Sequence, residues 1–290
     1  TSAERDARVL RESLIGGTSS FFGGTATAFA TTSDFRGQEE FTEFTPKVSI
    51  AWQPTDDLNL YASYNRGFKG GGFDPRGQTT SAPDLDGDGD IDSADVFEFM
   101  LFRPEIVDAF EVGLKGTWLD GRVVTNVALF RNAYDDGQIP GSVGVDTNND
   151  GIDDTFTGST SIAAYADITG SEFEGVAYLT DGLSFNWSVG YIQAVFNEFI
   201  DAFGQDVASQ RVFQNTPDWT AQGRLNYSTE LSLFGNAGTL YLTGAVSHRS
   251  AASQFEAPNP FLDQGSFNIW DASITWSEDD GRWNFGLHGR

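Results

Sequence analysis

The stretch DLDGDGDIDSAD, residues 84–95, has the residue types and the spacing of a metal site. Carboxylates stand at its first, third, fifth, seventh, ninth and twelfth positions, and a glycine stands at the sixth, where such a loop turns sharply. Hard oxygen ligands in this arrangement suit Ca²⁺, with the seventh residue giving its backbone carbonyl and the ninth acting directly or through water. The predicted ligands are Asp84, Asp86, Asp88, Asp90, Asp92 and Asp95.

The sequences that flank this loop predict half of an EF-hand, with a helix after the loop but none before it. The loop resembles those of EF-hand and dockerin modules, with Asp95 rather than a Glu at the twelfth position, and the segment after it predicts a short helix capped by Ser93. Pro83 leaves little room for a helix before the loop. We therefore expect a stiffened loop with a structural role. The alternative is a solvated loop without an ion, against which the mutual repulsion of so many carboxylates argues.

A second Asp-rich loop, residues 146–157, has a weaker form of the same pattern. It resembles thrombospondin-type calcium repeats, but Thr157 takes the place of an acid at its twelfth position. Calcium binding and a simple polar loop both remain open here. The candidate ligands are Asp146, Asn148, Asp150 and Asp154.

The charge balance restricts the partners of the chain. With 42 acidic and 17 basic residues, its formal net charge is −25, which would repel a nucleic acid and favours cations or neutral solutes. The sequence has no nucleophile elbow, zinc-protease motif or phosphate-binding loop, so we expect no enzymatic activity. For His248 and His288, a surface or pore position is favoured over metal binding or catalysis.

The elements that must hold these loops are strands. In LSFNWSVGYIQAV, residues 183–195, large apolar residues alternate with Ser, Asn and Gly, and about ten runs of this kind follow Phe44. Short Asp- and Gly-containing connections alternate with long ones, at roughly 69–105, 136–163, 197–216 and 250–266.

This order predicts an all-β protein, a transmembrane antiparallel β-barrel with short periplasmic turns and long extracellular loops. A soluble β-sandwich or propeller is the alternative. One face of each run is suited to water and the other carries Tyr and Trp near its ends, where barrels place their interfacial aromatic girdles. Both Asp-rich loops fall in long, extracellular connections, where calcium is plentiful.

The amino-acid sequences of the strands resemble those of a known family. The segments 41–77, 103–139, 170–199 and 215–227, together with the last hairpin, are similar in order and sequence to the barrel domain of TonB-dependent outer-membrane receptors. On this resemblance, residues 41–290 are the C-terminal half of such a barrel, about ten strands of a larger one, and residues 1–40 are an extracellular loop or strand remnant. The N-terminal plug and the closing strand would lie outside this piece.

The resemblance implies function, location and partners. It implies active, TonB-driven uptake of a scarce nutrient, such as a siderophore or a glycan, across the outer membrane of a Gram-negative bacterium. Expected partners are outer-membrane lipid, TonB acting through the plug segment, a small-molecule or oligosaccharide ligand and an outer-membrane or surface protein, but no nucleic acid. A passive porin, an adhesion barrel and a soluble calcium-binding β-module are the competing interpretations.

Overall fold

The computed structural model describes residues 2–14, 29–82, 84–85, 87–145, 155–162, 165–200 and 205–290. The elements in these ranges are one α-helix, α1 (Ser93–Met100), and sixteen strands: β1 (Ser2–Leu14), β2 (Phe29–Thr42), β3 (Lys47–Thr55), β4 (Leu58–Lys69), β5 (Gly72–Phe73), β6 (Leu101–Phe102), β7 (Glu105–Trp118), β8 (Val123–Asp135), β9 (Gln138–Val145), β10 (Thr155–Ile162), β11 (Ala166–Thr180), β12 (Leu183–Phe196), β13 (Trp219–Glu230), β14 (Gly238–Arg249), β15 (Phe267–Glu278) and β16 (Asn284–Gly289). Among the described residues, no helix is long and apolar enough to span a membrane.

Ten of the strands form one antiparallel sheet in the order β16-β15-β14-β13-β12-β11-β8-β7-β4-β3. Along this order, every strand pairs with the next strand of the same sheet along the chain. The remaining strands form three two-stranded sheets: β1 with β2 before β3, β5 with β6 between β4 and β7, and β9 with β10 between β8 and β11. Tight turns join the strand ends on one side of the sheet. The long segments 70–104, 136–165, 197–218 and 250–266 connect the opposite strand ends, and we call that side the long-loop edge. The predicted alternation of short and long connections is confirmed.

The register of this sheet separates an apolar face from a polar face. Ile50 lies opposite Ala62, Ala62 opposite Val112 and Val112 opposite Leu129, so one row across four strands is apolar throughout. Because directly paired residues project to the same side of a sheet, this row continues the face predicted from the period of two. Large side chains of this face stand exposed: Val48, Ile50, Trp52, Phe110, Val112, Leu129, Phe185, Leu225, Trp270, Ile274, Phe285 and Leu287.

The opposite face is lined by polar side chains. A row from β7 to β14 runs through Lys115, Asn126, Glu174, Ser188, Gln222 and Ser247. Asn126 donates a hydrogen bond to Glu174 across the two strands at 3.0 Å. This exposed apolar face is far larger than the apolar patches on the surfaces of soluble proteins, so it requires an apolar medium. The polar face is suited to water.

Above the long-loop edge, β1, β2 and residues 72–102 pack together into a unit that we call the cap. Its core contains four buried side chains, Val9, Phe35, Phe73 and Met100. The ring centroids of Phe35 and Phe73 lie 5.0 Å apart, and those of Phe73 and Phe97 lie 5.3 Å apart at a steep angle. Met100 is fully buried at the end of α1. The cap is therefore held by an apolar core of its own, separate from the ten-stranded sheet.

Candidate functional site

A cavity of about 300 Å³ opens on the polar face at the long-loop edge of the sheet. The strands contribute its floor, and the segments after β8, β12 and β14 contribute its walls. We call this cavity the vestibule, and it is lined by Glu105, Tyr134, Gly137, Gln138, Ile139, Ala166, Ile168, Phe196, Val212, Phe213, Gln214 and Glu256. Its size and its mixture of aromatic and polar groups are those of a small-molecule site.

Aromatic stacking shapes one wall of the vestibule. The rings of Phe196 and Phe213 stack almost in parallel, with centroids 4.2 Å apart and an interplanar angle of 8°. Phe199 meets Phe196 edge to face at 5.2 Å and is buried together with Val207. The guanidinium of Arg211 lies 5.5 Å from the centre of the Phe199 ring. The stacked pair is thus supported from behind and presents its remaining surface to the cavity.

Asp206 holds the turn behind these rings. Its carboxylate accepts hydrogen bonds from the backbone N–H groups of Ala208 and Phe199, each at 3.0 Å. These two donors favour the charged carboxylate, so they lower the pKa of Asp206 below its ordinary value. The turn is further closed by the backbone N–H of Val207, which donates to the carbonyl of Phe199 at 2.8 Å.

The long loops are tied to one another around the vestibule. The backbone N–H of Val212 donates to the carbonyl of Glu256 at 2.8 Å, and that of Asn215 donates to the carbonyl of Ser253 at 2.8 Å. These bonds bring the segment 205–218 against the segment 250–266, so Phe213 and Glu256 line one cavity although they lie far apart in sequence.

Gln138 connects the vestibule to the base of the cap. Its side-chain amide donates to the carbonyl of Arg103 at 2.9 Å and to that of Gly70 at 3.2 Å. Its backbone N–H donates to the carboxylate of Glu105 at 2.9 Å, and the ammonium group of Lys69 lies 3.8 Å from the same carboxylate. The two ends of the segment 70–104 are therefore fixed beside the cavity.

Sequence reasoning did not identify the vestibule residues. Their signal is weak, because Phe196, Phe213 and Glu256 stand in loops or strand ends without a recognisable spacing. A usable hint was present in the aromatic residues of otherwise polar connections, since apolar side chains in long extracellular loops need a packing partner or a ligand.

The first Asp-rich loop has the backbone shape that its sequence predicts. Gly87 and Gly89 have φ angles of +77° and +95°, in the region that side-chain-bearing residues avoid. Both oxygens of Asp84 accept backbone N–H groups, from Gly87 at 2.7 Å and from Gly89 at 2.9 Å. The carboxylate of Asp88 accepts the N–H of Asp90 at 2.9 Å. The loop thus wraps around its first carboxylate.

The exit helix is confirmed, but the predicted cap residue was wrong. Asp92, not Ser93, is the N-cap of α1, and its side chain accepts the N–H groups of Ala94 and Asp95. Asp95, 2% exposed, reaches back to the N–H of Asp92 at 2.9 Å and also accepts the N–H of Leu85 at 2.8 Å. This reciprocal capping box uses two acids three residues apart, which satisfies more backbone donors than a serine could.

The described part of the Asp-rich loops contains no converged set of metal ligands. Within the described ranges, no group of three or more acidic or histidine side chains converges closely enough to hold a metal ion. Asp86, together with all four candidates of the second loop, Asp146, Asn148, Asp150 and Asp154, lies outside the described residues. The donor set consists of carboxylate oxygens, which are the ligand type that Ca²⁺ takes, and those of Asp84 and Asp95 accept backbone N–H groups in this structure.

The two histidines occupy strand positions. His248 lies near the long-loop end of β14, where its Nδ1 is 2.8 Å from the side-chain oxygen of Asn268, and His288 lies in β16 opposite Ser273. The expected surface or pore positions agree with this placement.

Comparison with known proteins shows that the sheet is similar to known barrel domains. A family model described as TonB dependent receptor-like, beta-barrel, matches residues 17–289. Among solved structures, the ferric yersiniabactin uptake receptor FyuA from Yersinia pestis is similar with a TM-score of 0.60 and 20% identity over 91% of this chain and 34% of its own. The ferric-catecholate import receptor Fiu from E. coli K12 is similar with a TM-score of 0.58 and 15% identity over 97% of this chain and 35% of its own.

A third structure agrees in fold. The siderophore receptor PiuA from Acinetobacter baumannii has a TM-score of 0.56 and 14% identity over 91% of this chain and 32% of its own. This chain therefore spans about a third of the length of each of these receptors. At such identities the likeness shows the fold, which is the partial transmembrane antiparallel β-barrel predicted from the sequence.

Proposed function

Because the chain belongs to the TonB-dependent receptor family through its β-barrel domain, we propose that it forms part of an importer that takes up a scarce nutrient, with a ferric siderophore as the preferred class. The family resides in the outer membrane of Gram-negative bacteria, so the apolar face of the sheet contacts lipid. The polar face then lines the pore, and the long loops lie outside the cell.

The observation that carries this proposal is the position of the vestibule. A cavity of about 300 Å³ with stacked aromatic rings stands on the pore face at the extracellular edge, where an imported solute first meets the barrel. The solved receptors of similar fold are described as taking up ferric yersiniabactin or ferric catecholates, which favours an iron complex over a glycan. Energy would come from TonB, acting through the plug segment of the complete protein.

Uptake assays on the full-length receptor in its own bacterium test the proposal. A strain without the receptor gene is grown under iron limitation with a panel of purified ferric siderophores, and uptake of ⁵⁵Fe is measured with and without a functional TonB. We expect at least one siderophore whose uptake needs both the receptor and TonB. Uptake that needs the receptor but not TonB would instead identify a passive porin.

An adhesion barrel would give a distinct result in the same strains. A receptor gene that changes cell adhesion but not the uptake of any iron complex or oligosaccharide would point to such a surface barrel. A soluble calcium-binding module is disfavoured by the family and by the exposed apolar face of the sheet.

We further propose that Ca²⁺ binds the loop 84–95 and orders the cap. The loop leads directly into α1, whose Met100 closes the cap core, so the position of the carboxylates and the packing of the core depend on each other. Ligands would come from the side chains of the Asp residues at the first, third, fifth and twelfth positions, with Asp90 giving its carbonyl. The second loop, 146–157, is a further candidate for the same ion.

Calcium titration of the full-length receptor tests this role. Protease cleavage within residues 84–92 and the thermal stability of the cap are compared in EDTA and in millimolar Ca²⁺, for the wild type, Asp84→Asn and the control Asp279→Asn in a short turn. We expect calcium to protect the wild type and the control but not Asp84→Asn. Equal cleavage in both conditions would rule out calcium at this loop.

A further inference from the structure

We propose that the vestibule selects an uncharged or cationic ligand with planar groups and rejects strongly anionic iron complexes. This inference rests on the proposed function and specifies its substrate class. It combines two features of the cavity, the stacked aromatic wall and the sign of the charges around it.

The planar preference follows from the rings. Phe196 and Phe213 are already stacked on each other, so the free surface of this pair and the ring of Tyr134 offer flat apolar contacts to a third group. Aromatic, oxazoline, thiazoline and hydroxamate groups are flat, and they can lie against such rings with favourable dispersion and quadrupole contacts.

The charge preference follows from the polar groups. The lining includes the carboxylates of Glu105 and Glu256 and the amides of Gln138 and Gln214. None of the described lining residues is Lys, Arg or His. Because the ammonium group of Lys69 lies 3.8 Å from the carboxylate of Glu105, the carboxylate of Glu256 contributes most of the negative charge of the lining. In a partly enclosed cavity, a fixed charge acts on a ligand with less screening than on an open surface, so an anion is repelled and a cation is attracted.

Three cations, Lys69, Arg211 and Arg249, lie near the vestibule but do not line it. Lys69 is paired with Glu105 at 3.8 Å, and Arg211 lies over the ring of Phe199, behind the stacked wall. Arg249 donates to the backbone carbonyl of Asn215 at 2.9 Å. Recognition of a polyanionic iron complex relies on Arg or Lys groups aimed at its oxygens, whereas the described lining of the vestibule contains carboxylates and amides.

A matched set of iron complexes tests the inference on the purified full-length receptor in detergent. The probes are a linear ferric trihydroxamate with a free amine, which is singly positive, its N-acetylated form, which is neutral, and a trianionic ferric tris-catecholate. Quenching of tryptophan fluorescence reports their affinities at low and at physiological salt. The variants are Glu256→Gln, Glu256→Lys and the control Glu230→Gln, which removes a charge beside a short turn.

We expect the wild type to bind the positive and neutral complexes more tightly than the trianionic one. Glu256→Gln should lower the affinity for the positive complex about two- to fivefold at low salt, as expected for the loss of one partly screened charge. The affinity for the neutral complex should stay unchanged. Glu256→Lys should raise the affinity for the trianionic complex, and Glu230→Gln should change the affinity for none of the three. Heat-modifiable gel migration verifies that each variant forms a folded barrel.

Two contrary outcomes overturn different statements. Tightest binding of the trianionic complex, or an equal response of all three complexes to Glu256→Gln, would refute the charge preference and leave the importer intact. If none of the three complexes binds and no ferric siderophore of the uptake panel is taken up by cells, the siderophore assignment fails, and the inference fails with it.

Discussion

The cap and the vestibule use similar residues for opposite purposes. In the cap, Phe35, Phe73 and Met100 close on one another until Met100 has no exposure left. In the vestibule, Phe196 and Phe213 also stack, yet a cavity of about 300 Å³ remains in front of them. The comparison teaches that aromatic residues stabilise a fold where other side chains surround them completely, and offer a binding site where one side of the ring is left open.

The largest expected effect comes from opening the closed core. Met100→Ala removes a fully buried side chain, which costs about 2–5 kcal/mol when the surroundings cannot collapse. We expect hydrogen exchange in α1 and β2 to accelerate strongly, while exchange in β11 and β12 and the affinity for ligand stay unchanged. A parallel loss of ligand affinity would mean that cap and vestibule are one cooperative unit. The matched control is Phe261→Ala, because Phe261 is 95% exposed in another long loop.

A smaller effect is expected from the Asp-rich loop of the cap. Gly89 has a φ of +95°, and an L-residue in a left-handed conformation costs about 1–2 kcal/mol, so Gly89→Ala should weaken calcium protection of the loop about tenfold. Gly265→Ala is the control, since that glycine has an ordinary φ and open space around it. Equal protection of the two variants in a calcium titration would show that the turn is not under this constraint.

The vestibule should respond in binding rather than in stability. Phe213→Ala removes from the cavity wall a ring on which a planar ligand group could stack, and an aromatic contact of this kind is worth about 0.5–1.5 kcal/mol. We expect ligand affinity to fall by up to about tenfold, with an unchanged thermal transition of the barrel. Phe213→Tyr keeps the ring and should keep most of the affinity. A loss of barrel stability in Phe213→Ala without a change in affinity would reverse the roles assigned to the two regions.

The smallest effect is a pH dependence behind the vestibule. Because the pKa of Asp206 is lowered in the folded chain, its contribution to stability is complete above the unfolded pKa, roughly pH 4, and is lost as pH falls through the folded value. Exchange of the Phe199 and Ala208 amide protons should therefore accelerate only in strong acid. Asp206→Asn should abolish this dependence. A transition near neutral pH would contradict the assignment.

Much of the fold could be predicted from the sequence, because its physical determinants are local. The period of two places Val112 and Leu129 on one face without knowledge of their partners, and Asp-Gly pairs mark the tight turns. The exit helix was also predictable, and its true cap had a signal, since Asp92 and Asp95 have the spacing of a capping box.

The rest depends on contacts between distant segments. Nothing in the neighbourhood of Phe35 predicts that it meets Phe97, and nothing around Phe213 predicts that Glu256 lines the same cavity. These contacts arise from how long loops fold back over a sheet, where sequence spacing gives no geometric rule. The Asp-rich loops stand between the two cases, because the spacing of their carboxylates is local but the convergence of these groups is not.

Within the ten-stranded sheet, each strand pairs with the next strand of that sheet along the chain, and this order has an evolutionary consequence. The ends of β4 and β7 are fixed side by side by their own ladder, so the excursion between them closes a loop whose entropic cost rises only with the logarithm of its length. Doubling such a loop costs about 0.6 kcal/mol, less than one buried methylene returns. A lineage can therefore exchange whole extracellular modules at this edge while the membrane-spanning ladder keeps its register.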